Sequence, residues 1–387
     1  MSDQLETNRT RLKIIASIVR IAGLVVFLLS FIQAGYAQTH EPAAASVPPQ
    51  VEIAGTQLQH LFSAITNKDY DLYINLPRGY GDSTKTFPVL FLFDAQWDFP
   101  LVQAIYGEQY YDGFIPEMVI VGITWGGKNP DYDKLRAHDL TPTDVSRNGT
   151  YGNAPKFLSF ITKELIPYVE GKFRVKQNDR TLMGSSLGGL FALYAMFQEP
   201  GVFNRYVLTS PALQWDNRMI YSLSKSYAEQ HKELTAKLFM GIGEYEPVME
   251  FQNFVDELKA KNYKNLQLET KVIAGMGHSG GKAEGYTRGL QAVFARPNVH
   301  IDPAVLAAYA GEYVINSQYK ITLVQEQEQL FIVLPEYPRI ALNAESDVDF
   351  YVTGAFLNAH IEKDQAGKVN GFTMHQFNGS MFCQRVK

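Results

Sequence analysis

The sequence predicts an α/β protein, a mostly parallel sheet covered by helices and followed by a small antiparallel β domain, and three observations lead there. Apolar runs of the kind buried on both faces, Val89 to Phe93 and Met118 to Val121, occur between about Val51 and Pro297. Helical patterns fall between and after them: Phe157, Ile161, Leu165 and Tyr168 share one face, and Phe251, Phe254, Val255 and Leu258 share another. After about His300 the helical period gives way to β-prone segments separated by turn residues, such as Tyr319 to Val324, Leu330 to Leu334 and Phe350 to Val352. Each parallel return needs a crossover, so strands alternating with helices make a parallel sheet. The expected organisation is therefore an α/β domain over residues 51–297 and a separate β domain, a barrel being one solution, over residues 301–387. Extension of the main sheet by the last strands is the competing arrangement.

Ahead of the folded part, Arg9, Arg11, Lys13 and Arg20 precede an uninterrupted apolar run from Ile21 to Leu29, and small residues follow at Gly35 and Ala37. A basic region, an apolar segment and a small-residue site form the pattern of a secretory signal peptide. The run is short of the roughly 20 apolar residues that span a bilayer, so a retained anchor is the lesser alternative. Residues 1–37 are read as a leader cut after Ala37, and the Ala- and Pro-rich residues 38–50 as a linker. Loss of the leader removes four basic and two acidic residues and takes the formal charge from −5 to −7. With no Lys/Arg cluster, such a surface excludes nucleic acid as a partner. Cys383 is the one cysteine, so no internal disulfide forms. An exported chain without a disulfide suits a bacterial periplasmic or secreted protein with no stable membrane insertion after cleavage.

The chemistry is carried by Gly184-Ser185-Ser186-Leu187-Gly188, a G-x-S-x-G sequence. Arg180 to Met183 reads as a short strand before it and Leu187 to Phe197 as a helix after it. Strand, sharp turn and helix are what a nucleophile elbow requires, and they point to the α/β-hydrolase fold with Ser186 as nucleophile. Glycines two positions either side remove Cβ clashes at the strained turn. Ser185 sits at the variable position and is set aside.

A serine hydroxyl is weak at neutral pH and needs a base oriented by an acid, which in this fold follow in the order serine, acid, histidine. Lys237 to Met240 is a strand ending in the loop Gly241-Ile242-Gly243-Glu244-Tyr245-Glu246-Pro247. Gln267 to Ile273 is the next strand and ends in Gly275-Met276-Gly277-His278-Ser279. Of eight histidines, only His278 and His138 lie on plausible active-site loops, and His278 has the right place in the order. The acid is Glu244 or Glu246, and Glu246 lies deeper in the loop, just before Pro247 opens a helix. Trp97, Trp125 and Trp215 read as loop residues near the site, which suits a substrate with flat or apolar groups, although they also suit a core. No metal-ligand spacing such as H-E-x-x-H occurs, so neither metal nor cofactor is implied.

With these positions placed, the chain resembles the putative esterase family related to esterase D, which includes siderophore and feruloyl esterases and mycolyltransferases. The resemblance spans about Gly55 to Ala295. It rests on Tyr70-Asp71-Leu72-Tyr73-Ile74-Asn75-Leu76-Pro77, Phe87 to Asp94, Asp139-Leu140-Thr141-Pro142-Thr143, the Gly184 to Gly189 elbow, Ser210 to Trp215, and Gly277-His278. It implies cleavage of a small-molecule ester, with Glu246 as the triad acid. Family members commonly carry Gly after the strand-ending Asp, where Ala95 and Gln96 follow here. The N–H groups of Gln96 and Leu187 are then expected to form the oxyanion hole. The family also often has Arg where His138 stands, which makes His138, with Trp97 and Trp215, a candidate substrate contact. The segment after residue 301, with Tyr309-Ala310-Gly311-Glu312-Tyr313, resembles the small lipocalin-like domain appended to some bacterial serine hydrolases. Two other functions remain open: acyl transfer to another alcohol through the same triad, and ligand binding by a protein with a vestigial site.

Overall fold

The computed structural model describes residues 52–315 and 319–386, so the expected leader and linker lie outside the described residues. Among the described residues no helix is long and apolar enough to cross a membrane. From Ile53 onward the chain forms one compact unit.

Its first part is an eight-stranded sheet in the order β1-β2-β4-β3-β5-β6-β7-β8. The strands are β1 (Thr56–Ser63), β2 (Lys68–Asn75), β3 (Phe87–Leu92), β4 (Val119–Trp125), β5 (Val175–Ser185), β6 (Arg205–Thr209), β7 (Glu233–Gly243) and β8 (Lys264–Ile273). From β4 to β8 every neighbouring pair is parallel, and only β2 runs against the rest. β3 and β4 are buried along their whole length, as expected of runs covered on both faces.

The crossovers are α1 (Ala95–Tyr111), α2 (Tyr132–Asp139), α3 (Ala154–Phe160), α4 (Ile166–Lys172), α5 (Leu187–Gln198), α6 (Trp215–Gln230) and α7 (Val248–Ala260), and α8 (Lys282–Val293) follows the last strand. A π turn over Ile161–Leu165 joins α3 to α4. The apolar stripes read from the sequence are the buried faces: Phe157, Ile161 and Leu165 lie in the same core cluster as Phe251, Phe254 and Leu258. α5 is apolar nearly all round and is buried from Gly188 to Phe197. It follows β5, the centre of the sheet, so the turn between them opens at the carboxyl ends of the parallel strands, where open α/β sheets bind ligands.

The second part is a closed antiparallel barrel, separate from the main sheet: β9 (Gly311–Val314), β10 (Lys320–Glu326), β11 (Gln329–Val333), β12 (Ile340–Ala344), β13 (Asp349–Tyr351), β14 (Leu357–Lys363), β15 (Val369–Gln376) and β16 (Gly379–Arg385). Consecutive strands pair, and β9 closes the ring between β16 and β10. The helical period does not vanish entirely after His300, because α9 (Pro303–Tyr309) stands at the start of the barrel. Its seven residues are too few to show a period, and it is set by Pro303 at its first position and by Asp302, whose side chain accepts from the Ala304 N–H. Leu306 and Tyr309 of α9 join Tyr313, Phe350 and Phe372 in the barrel core.

The barrel meets the C-terminal end of α1 through aromatic rings. Phe356 and Phe377 pack against Tyr110 at 5.4 and 5.8 Å, Tyr111 packs on Phe377 at 4.9 Å, and the Arg78 guanidinium lies 4.6 Å from the Phe377 ring. Arg296, beyond α8, donates to Asn358 and pairs with Glu345.

Candidate active site

Ser186 stands between β5 and α5 with φ 57° and ψ −116°, a conformation that L residues adopt only under constraint. The constraint comes from close neighbours. A Cβ on Gly184 would come within 2.8 Å of the Gly188 backbone, and one on Gly189 within 3.0 Å of Pro211. The Ser186 N–H donates to the Thr209 carbonyl, and its own carbonyl accepts from Leu190 and Ala212. The backbone is thus held on three sides while the side chain lines a cavity.

His278 lies on the loop after β8 and Glu246 on the loop after β7. Glu246 Oε2 is 2.6 Å from His278 Nδ1. Its other oxygen accepts from the Ser210 hydroxyl at 2.6 Å and the Gly243 N–H at 2.8 Å. Burial alone raises the Glu246 pKa, but the hydrogen bonds from Ser210, His278 and Gly243 outweigh it and hold the carboxyl below the ordinary carboxylate range. An ionised carboxylate only accepts, so Nδ1 carries the proton and Nε2 is left as the basic nitrogen. Glu244, the other candidate acid, is exposed and accepts from the Gly275 N–H instead.

Two cavities meet at Ser186 and His278. The smaller, about 220 Å³, is walled mainly by Pro211, Leu213, Trp215, Ile242, Pro247 and Phe251. The larger, about 490 Å³, is bordered by Trp97, Leu101 and two ion pairs. In one, Arg136 donates to both oxygens of Asp94 at 2.8 and 2.7 Å. In the other, Lys282 donates to both oxygens of Asp98, which also accepts from the Tyr286 hydroxyl at 2.7 Å.

Leu187 and Gln96 each lie within the first two positions of a helix, where backbone N–H groups have no intrahelical acceptor. The two helix starts face each other: a Cβ on Gly188 would lie 3.3 Å from the Phe93 Cβ and 3.7 Å from Asp94 Oδ2. Trp97 is 48% exposed at the rim, with the Arg136 guanidinium 5.7 Å from its ring. Trp215 lies in the small cavity, its Nε1–H donating to Thr143 Oγ1 at 3.0 Å and its ring edge-on to Tyr151.

Two expected neighbours lie elsewhere. Trp125 is not on a loop at the site; it ends β4, is 2% exposed, and donates to Asp139. His138 is not brought into either cavity; its Nδ1 meets Lys68 Nζ and Asp139 Oδ1. The reason is helical phase. Two residues turn α2 by about 200°, so with Arg136 at the site His138 faces away. Arg136 and Ser210 are the site residues that sequence reasoning missed, and Arg136 was readable from that phase once Asp94 was placed.

A profile of the putative esterase family matches residues 63–279. The chain is 28% identical over 194 residues to the ferri-bacillibactin esterase BesA of Bacillus subtilis, covering 47% of this chain and 66% of that protein. It is 36% identical over 116 residues to a siderophore triacetylfusarinine C esterase of Aspergillus fumigatus, covering 30% of this chain and 40% of that one. The matches therefore span less than two thirds of either relative. In three dimensions the crystal structure of a BES protein from Bacillus cereus superposes with a TM-score of 0.58 at 22% identity, over 65% of this chain and 99% of that one, which establishes the shared fold.

Proposed function

The chain belongs to the putative esterase family, and from that premise we propose that it hydrolyses carboxylic esters through an acyl-enzyme on Ser186. The observation that carries this reading is the Glu246 to His278 hydrogen bond at the mouth of the cavity that Ser186 also lines. Glu246 fixes the Nδ1–H tautomer and offsets the charge that forms when His278 Nε2 takes the Ser186 proton. The hydroxyl oxygen attacks the ester carbonyl, and the developing oxyanion is met by the N–H groups of Leu187 and Gln96, with the α5 N-terminus behind them. His278 then returns the proton to the leaving alcohol, and water releases the acyl group by the same steps in reverse.

The two cavities divide the substrate: the smaller suits a compact apolar group on one side of the ester, and the larger, with Trp97 at its rim, suits a larger polar one. Esters of siderophores, the class named for the relatives, are large and polar and are the substrates to try first. The leader pattern at the N-terminus supports action outside the cytoplasm.

A fluorophosphonate probe tests the nucleophile. Labelling of the wild type and not of Ser186→Ala is expected; equal labelling of both rejects Ser186.

A further inference from the structure

Ser210 lies directly after β6 at φ 46°, 5% exposed, and its hydroxyl donates to Glu246 Oε1 across a gap of 36 residues. The surrounding turn touches both halves of the site. The Ser210 N–H donates to Gly241 at the end of β7, Pro211 packs on Gly189 of the elbow, and the Ala212 N–H donates to the Ser186 carbonyl. Glycine would adopt this left-handed backbone with less strain than serine. What serine supplies at this position is therefore the hydroxyl, and its acceptor is the carboxylate that faces His278.

We propose that Ser210 is a positioning residue for the hydrolytic site: it locks the Glu246 carboxylate in the one rotation that presents Oε2 to His278. This rests on the triad reading above. The geometry leaves little else for the hydroxyl to do. Oε1 has two lone pairs, one taken by the Gly243 N–H and the other by Ser210. With both filled, turning the carboxylate breaks two hydrogen bonds at once. With Ser210 removed, only the backbone donor remains and the carboxylate is free to rock away from the imidazole. A carboxylate turned away from His278 stabilises the imidazolium less.

Ser210→Gly and Ser210→Ala test this beside Ser186→Ala and Glu246→Ala, using hydrolysis of p-nitrophenyl acetate over a range of pH. In both Ser210 variants kcat is expected to fall by at least about tenfold, the effect of one charge-assisted hydrogen bond, with KM within about twofold. The acidic limb of kcat/KM, which reports protonation of the base, should move to lower pH. In Glu246→Ala it should move further in the same direction, because the negative charge is gone. Melting curves showing both Ser210 variants folded at the assay temperature separate the effect from a loss of fold. Unchanged kcat in both Ser210 variants, or a fall in kcat with the limb unmoved, overturns the role of Ser210. Full activity of Ser186→Ala or Glu246→Ala would instead remove the triad reading beneath it.

Discussion

Replacing Glu246 with glutamine tests the hydrogen-bond logic of the site more sharply than removing the side chain does. The Gly243 N–H is a fixed donor 2.8 Å from Oε1, so the oxygen of the substituted amide must stay there. Reversing the amide would set donor against donor and leave a buried N–H unpaired, at a cost of about 1–3 kcal/mol. The NH2 group then faces His278 Nδ1, which the carboxylate meets at 2.6 Å in the native protein. Nδ1 must become the acceptor and the proton moves to Nε2, the nitrogen needed to accept from Ser186. A triad held in the wrong tautomer loses about 10⁴ in kcat, equivalent to about 5.5 kcal/mol of barrier. Glu246→Ala leaves the ring free to choose its tautomer and should keep more activity than Glu246→Gln. Steady-state hydrolysis of p-nitrophenyl acetate by the two variants, with melting curves to confirm folding, decides the matter. A glutamine variant within about tenfold of wild type, or more active than the alanine variant, would refute this account of Glu246.

Acid stability should depend on Asp139. Burial raises its pKa, but hydrogen bonds from His138, Lys68 and Trp125 and the Lys68 charge bring it down to about 2. A depressed carboxyl contributes stability above its ordinary value near 3.8 and loses it as pH falls toward 2. Asp139→Asn should therefore lower neutral-pH stability by on the order of 2 kcal/mol and flatten the acid side of the urea-unfolding profile; an unchanged profile would count against this network. Phe377→Ala removes the ring that contacts Tyr110, Tyr111 and Arg78. It should cost about 1–2 kcal/mol in thermal unfolding while leaving kcat/KM within about twofold, since Ser186, His278 and Glu246 all precede the barrel. A large loss of turnover in the folded variant would place the barrel in the chemistry.

What could be read from the sequence was what local sterics dictate. A Cβ at Gly184 would strike the Gly188 backbone and one at Gly188 would crowd Phe93, and that demand writes G-x-S-x-G into the chain. Chain order points to His278, which the structure sets beside Glu246, and the buried strands follow from apolar runs too short for helices. What escaped reading depended on contacts between distant segments. No period marks Ser210 as the partner of a glutamate 36 residues on. Trp125 looked like a loop residue because nothing local shows where β4 stops. His138 taken alone does not reveal the phase of the helix that carries it.

That same phase bears on selectivity. By bringing Arg136 to Asp94, α2 neutralises one acid at the large cavity, as Lys282 neutralises Asp98. Two acids and two bases then border that lobe, and their charges cancel. On the proposed reading, a ligand entering it would be recognised by hydrogen bonding and by the face of Trp97, with little help from net charge. On the same reading, discrimination by size would fall to the small lobe, which Trp215 and Phe251 line and where one methylene in an apolar pocket is worth about 1–3 kcal/mol, or roughly 10–200-fold in kcat/KM. Glu250, which also lines that lobe, is itself held by Arg218 through both oxygens and by the Tyr221 hydroxyl. It therefore lines the small lobe as half of a neutral ion pair, which on the proposed reading would offer little to an ester whose small group carries a charge.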